Sequence, residues 1–240
     1  MAFPPCRALL ACLATLAIGA CRSAAAPPQE DGYVLAFLVR GPSAAERTPE
    51  EKKTIQAAHL ANIGRLAKER KLVVAGPFGK PVPDESLRGI FVFATSDLAL
   101  AREWTSTDPA VQAGTLGMEL AAFRTQAPLR AAIERDLADQ AERAKAGKEL
   151  DPAASIRGYV MVLARDPARA REGLTPLREQ GKVLVEGSLD DSPRAAFVAV
   201  LDAPDVAAAE TLLGSHRAEI GDHDLASWWA SRSLEGLGRP

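Results

Sequence analysis

Residues 59–79 read HLANIGRLAKERKLVVAGPFG. Counting from just upstream, Ile55, His59, Ile63, Leu66 and Ala67 recur at three- and four-residue steps. They share one face of a helix, while Lys52, Lys53, Arg65, Lys68 and Glu69 fall elsewhere. His59 is therefore expected to look inward. The chain continues as Leu72-Val73-Val74-Ala75, a short apolar run with branched residues, and stops at Gly76-Pro77, where proline cannot donate to a sheet ladder. This pattern predicts a helix that returns the chain to a buried strand.

Upstream, Tyr33 to Arg40 (YVLAFLVR) is a continuous apolar run, as expected of a strand covered on both faces, and Gly41-Pro42-Ser43 ends it. Thr48 with Pro49 and Glu50-Glu51 is a helix start: a hydroxyl to cap, proline at the first helical position and acids at the positive end of the dipole. Downstream, a polar loop (residues 80–87) leads to a third strand, Gly89 to Ala94. Ser96 or Asp97 then caps a helix to about Trp104, and Leu116 to Phe123 is a fourth strand. The order strand, helix, strand, strand, helix, strand is the ferredoxin-like split arrangement, with two helices on one face of a four-stranded sheet.

The pattern then repeats. Tyr159 to Leu163 echoes the first strand and Leu177 to Gly187 echoes Leu66 to Gly76. Ala196 to Leu201, Asp205 to Leu213 and Leu225 to Ala230 supply the third strand, second helix and fourth strand again. Between the copies, Leu129 to Lys148 is rich in strong helix formers with charges at complementary spacing, and predicts a connecting helix, mostly solvated. The expected organisation is a signal peptide (residues 1–20), a tether (21–31), a first domain (32–125), a connecting helix (126–154) and a degenerate second domain (155–235). The fold class is α+β.

The N-terminus is a different kind of text. Arg7 precedes the apolar run Ala8 to Ala17, too short to span a bilayer but suited to a secretory signal. Ile18-Gly19-Ala20-Cys21 resembles the bacterial lipobox, which implies cleavage before Cys21 and its acylation. It also implies a lipid-anchored place in the bacterial cell envelope, on the periplasmic side of the outer membrane. An ordinary signal cleavage nearby is the alternative. Cys6 and Cys12 fall in the removed segment, so the mature chain keeps one sulfur, which leaves no disulfide and no thiol nucleophile. A net charge of −2 and only 5% aromatic residues supply neither the electrostatic footprint nor the stacking platform of a nucleic-acid binder.

Three groups of residues, His59-Leu60, Leu72 to Pro77, and Asp108-Pro109-Ala110-Val111 with Ala113-Gly114, together resemble the YciI-like (YCII-related) family over about Tyr33 to Arg124. The resemblance implies a dimeric α/β barrel architecture, which a tandem chain could build within itself as a pseudo-dimer. It also implies a functional pair of His59 and Asp108; no metal is expected, since no ligating cysteine remains and no metal-ligand spacing occurs, and no cofactor is expected. The chemistry is coherent, because imidazole suits proton transfer and a carboxylate on its other nitrogen fixes the tautomer. That points to a cofactor-independent lyase or isomerase acting on a small carbonyl compound.

A plainer reading stands beside it. His59 can be a core histidine, and Asp108 before Pro109 is a strong helix cap in an inert protein too, leaving a module that binds a small ligand or a protein. In the second copy the pair falls at about Ala170 and His216, so one site per chain is expected. The first copy also carries Arg70 where the family's helix-ending glycine usually stands; the second keeps Gly181. Of the other polar residues, Arg40 reads as a surface cation, 216–224 as a polar loop without metal-ligand spacing, and Trp228-Trp229 as one indole on each face of a strand.

Overall fold

A computed structural model describes residues 31–147 and 155–238; the expected signal peptide, Cys21, the tether before Asp31 and the end of the expected linker lie outside these. Strand β1 (Asp31–Arg40) is followed by α1 (Pro49–Lys68), β2 (Leu72–Pro77), β3 (Leu87–Phe93), α2 (Leu98–Ser106), the short α3 (Pro109–Gln112) and β4 (Leu116–Thr125). After α4 (Leu129–Lys145) the remaining elements are β5 (Ile156–Ala164), α5 (Pro167–Gly173), α6 (Thr175–Glu179), β6 (Val183–Asp190), β7 (Phe197–Leu201), α7 (Val206–Leu213) and β8 (His223–Ser231). The fold is mixed α/β with an antiparallel sheet.

All eight strands form one sheet in the order β2-β3-β1-β4-β6-β7-β5-β8. The first four strands and the last four therefore have the same internal order. They join where β4 pairs with β6, from Ala122↔Asp190 to Thr125↔Gly187. The free edges then meet each other: Phe78 bridges Trp228 and the Gly79 amide donates to the Ser227 carbonyl at 2.8 Å. The sheet closes into a ring, which removes its exposed edges.

Two glycines mark the two joins. A Cβ on Gly76 would lie 2.0 Å from the Trp229 carbonyl oxygen and against the Trp228 ring, and one on Gly187 would lie 2.3 Å from the Arg124 carbonyl oxygen and against the Phe123 ring. Gly76 and Gly187 occupy matching places on β2 and β6, and their neighbours occupy matching places on β8 and β4. Each join admits only a backbone without a side chain. The Trp228 indole Nε1 also donates to the Gly76 carbonyl at 3.0 Å.

Side chains alternate across the ring. Tyr33, Leu35 and Phe37 of β1 point inward with Phe123, Tyr159, Met161, Leu163 and Trp228, all within one core drawn from both sets of strands. The cavity left among them is about 20 Å³, room for one water at most. The interior is a filled core. The outward residues Val34, Ala36, Leu38, Phe91 and Phe93 lie under α1 and α2. Val160, Val162, Phe197 and Ala199 lie under α5, α6 and α7.

Helix α4 departs from the expectation of a solvated linker. Leu129, Ala132 and Ile133 are buried in the main core, because they recur on one face while the charges occupy the rest. The helix closes one end of the ring over β2, held by Ser231 donating to Asp136 at 2.7 Å and by Arg135 donating to the Ser233 carbonyl at 2.8 Å. Across the other end, Arg194 from the β6–β7 loop forks onto Glu119 of β4 at 2.6 and 2.8 Å and also reaches Asp84 in the β2–β3 loop.

Candidate functional site

Helix α1 begins as its sequence requires. The Thr48 hydroxyl accepts from the Glu51 amide and the Glu51 carboxylate accepts from the Thr48 amide, a complete capping box. Its inward face carries His59, Asn62 and Leu66, all buried. Beside it, Asp108 caps α3: its Oδ1 accepts from the Ala110 amide at 2.8 Å. Capping does not exhaust the carboxylate. His59 Nδ1 lies 3.0 Å from Oδ1 and 2.8 Å from Oδ2, so the two residues expected to act together are in contact, across 49 positions of sequence.

The imidazole is held on two sides. Its ring stacks on Phe91 of β3, centroids 5.8 Å apart and planes 13° from parallel, while Asp108, 0% exposed, fixes its edge. With Asp108 as the carboxylate, Nδ1 carries the proton and Nε2 carries the lone pair. The hydrogen bonds of the ring within the described residues are all at Nδ1, and Nε2 has no partner among them. The imidazole as a whole keeps a small exposure, 6%. The arrangement can accept a proton at Nε2 from a molecule seated against it.

Asn62, one turn further along α1, is the residue the hydrophobic pattern does not reveal, since an amide in an apolar stripe reads as a surface position. It is 7% exposed. Its Oδ1 accepts from Arg65 at 2.8 Å and from the Thr107 hydroxyl at 3.3 Å. Arg65 can only donate, which fixes the amide orientation and leaves Nδ2 buried without a partner. Its contact Thr107 shows the signal that could have found it: Thr107 directly precedes Asp108 in the chain, so adjacent residues of one turn meet adjacent turns of α1.

The matching places in the other set of strands hold no such pair. Ala170 is buried in the outer core, while His216 sits in an exposed 3-10 turn with Nδ1 3.1 Å from Glu219. Of the other residues considered, Arg40 is exposed at the end of β1. His223 turns its Nδ1 to the Gly221 carbonyl at 2.8 Å, away from any shared centre with His216. Trp228 points into the core and Trp229 outward, 45% exposed, as the strand alternation requires. Among the described residues no group of three or more His, Cys, Asp or Glu could hold a metal ion, and no helix is long and apolar enough to cross a membrane.

An open cleft of about 940 Å³ is elsewhere: it lies along β6 and α6 and includes neither His59 nor Asp108.

Among curated proteins none matches the chain. Two solved structures are similar in outline. One is the siroheme decarboxylase NirDL, at 11% identity and a TM-score of 0.44, covering 83% of this chain and 71% of that one. The other is an anthrone oxidase-like protein, at 10% identity and a TM-score of 0.43, covering 85% of this chain and 92% of that one. Likeness at that level says nothing of a reaction. The sequence itself is more telling: from Val34 in β1 to Arg124 in β4, residues 34–124 match the family model of the YCII-related domain, and both His59 and Asp108 fall inside that span.

Proposed function

We propose that the His59–Asp108 pair is a cofactor-independent acid/base site, of lyase or isomerase type, for a small carbonyl compound. The observation that carries this reading is the asymmetry of the imidazole: Nδ1 is held by both carboxylate oxygens, and Nε2 has no partner among the described residues on a ring that keeps 6% exposure. Nε2 takes a proton from the carbon next to a carbonyl, and Asp108 stabilises the cation so formed and keeps the ring in register. The test is incorporation of solvent deuterium at the acidic carbon of small ketones and 1,3-dicarbonyl compounds. Wild type should exceed His59→Gln by about a hundredfold or more. Equal rates for both would remove the catalytic reading.

A second reading has its own support. The low exposure of His59 and the remoteness of the wide cleft favour a non-catalytic module that binds a small ligand. In that case His59 is a structural residue, and His59→Ala should cost about 1 to 3 kcal/mol through a lost hydrogen bond and a cavity.

We further propose that the chain is two fused copies of one ferredoxin-like unit, paired as an intramolecular pseudo-dimer. The repeated strand order and the matching glycines at the two joins support this. We also propose that the protein is exported and anchored through a lipid on Cys21, a position outside the described residues. Cys21→Ala should release the protein from the membrane fraction; unchanged retention would point to another anchor.

A further inference from the structure

The seat that α4 fills on one side of the ring has an open counterpart on the other. Helix α4 lies over β2 and the segment after β8, held by Ser231 at the end of β8 and by Ser233, and its Glu134 pairs with Arg70 just past α1. The matching places are β6, α6 and the segment after β4, and these are the walls of the 940 Å³ cleft. Leu234 repeats the role of Leu129, both buried in the main core. Beyond that point the chain passes along the cleft wall at Leu237 and Gly238.

The electrostatics of the cleft distinguish one residue. Three arginines line it. Arg178 forks onto Glu186 at 2.8 and 2.9 Å, and Arg124 pairs with Asp190. Arg171 has no carboxylate partner among the described residues. It is placed by a hydrogen bond to the Ser188 hydroxyl at 2.7 Å and by the Phe197 ring, 5.3 Å from its guanidinium carbon. Leu184 and Val185 form part of the wall, and the exposed Glu172 and Glu179 also line the cleft. Those acids work against a multiply charged anion, while Arg171 favours a single negative charge.

We propose that this cleft is a second binding site, for a small monoanion with an apolar body. Its carboxylate is taken by Arg171, and its body lies against the partly exposed Ala127 and Leu237, which cover the nearly buried Leu184 and Val185. The volume suits such a ligand, since small-molecule sites run to several hundred Å³ and combine apolar walls with few polar anchors. The site is separate from the His59–Asp108 pair and does not depend on the catalytic reading.

The experiment uses octanoate as probe, followed by NMR chemical shifts of the mature chain, with Arg171→Gln, Thr175→Trp and His59→Gln compared after each is shown to keep its melting temperature. Octanoate should shift resonances of β6 and α6 saturably. Arg171→Gln should weaken binding by about tenfold or more, the loss expected for a charge-assisted hydrogen bond. Thr175→Trp should block binding by filling the cleft, and His59→Gln should leave it unchanged. Absence of saturable shifts at millimolar octanoate overturns the proposal. So does binding that survives Arg171→Gln, or binding that disappears with His59→Gln.

Discussion

The two sets of four strands share a frame and differ in what they do with it. In the first, α1 is a single helix of 20 residues carrying His59 against Asp108. In the second, the same path is broken into α5 and α6, Ala170 stands where His59 would be, and His216 pairs with Glu219 at the surface. The N-caps survive in both: Asp97 caps α2 and Asp205 caps α7. So do the glycines of the joins. What the two sets share is the frame, and what differs is the pair of polar side chains set against it. The buried His–Asp pair is present in one set of strands and absent from the matching places of the other.

The joins give the largest expected effect. A methyl group at Gly76 or Gly187 would meet backbone oxygen at 2.0 or 2.3 Å, which a flexible side chain cannot relieve. Gly76→Ala and Gly187→Ala should each lower stability by about 1 to 3 kcal/mol, measured by denaturant unfolding, because overpacking there moves backbone. Similar losses at both would sharpen the equivalence of the joins. A neutral result at one of them would break it.

The helix ends give a smaller contrast. Arg70 and Gly181 both adopt left-handed backbone, with φ of 57° and 66°, a conformation that costs a residue with a side chain about 1 kcal/mol. Gly181→Ala should therefore lose about 1 kcal/mol. Arg70→Gly should be close to neutral: it relieves that strain but gives up the exposed, solvent-screened pair with Glu134. Thermal unfolding of the two variants distinguishes these outcomes.

The clasp across the ring adds a pH dependence of modest size. The Asp84 carboxyl is held below its ordinary value, first by the Ser86 amide and then by Arg194. A carboxylate with a lowered folded-state pKa contributes stability above its unfolded pKa and loses it as pH falls through the folded value. Stability should fall in acid, and Asp84→Asn should shallow that fall below pH about 4. An unchanged acid limb in the variant would show that Asp84 has no part in it.

Much of this frame was legible in the sequence because local chemistry determines it. Thr48 with Glu51, and Asp97 and Asp108 before helical runs, specify helix starts without reference to the rest of the chain. The unbroken apolar run at Tyr33 predicts a strand covered on both faces, as β1 is. The α4 stripe was masked because Leu129, Ala132 and Ile133 are few among many charges, and the charges dominate the composition of that segment. Asn62 was missed for a related reason: its burial depends on Arg65 and Thr107 meeting its amide, and the latter contact spans 45 positions. Which strand edges meet was equally hidden. The Gly76 of the Leu72-to-Pro77 run reads as a strand end, whereas its physical need is the Trp229 carbonyl on the far side of the chain.

Availability of His59 Nε2 is the central claim, and carbethoxylation with diethyl pyrocarbonate followed by peptide mass mapping tests it most directly. The chain supplies its own controls, since it has three histidines. His216 is half-exposed, and His223 has its Nε2 sealed. The account predicts that His216 reacts first, that His59 reacts in the folded protein, and that His223 reacts only on unfolding. A His59 as inert as His223 would contradict it.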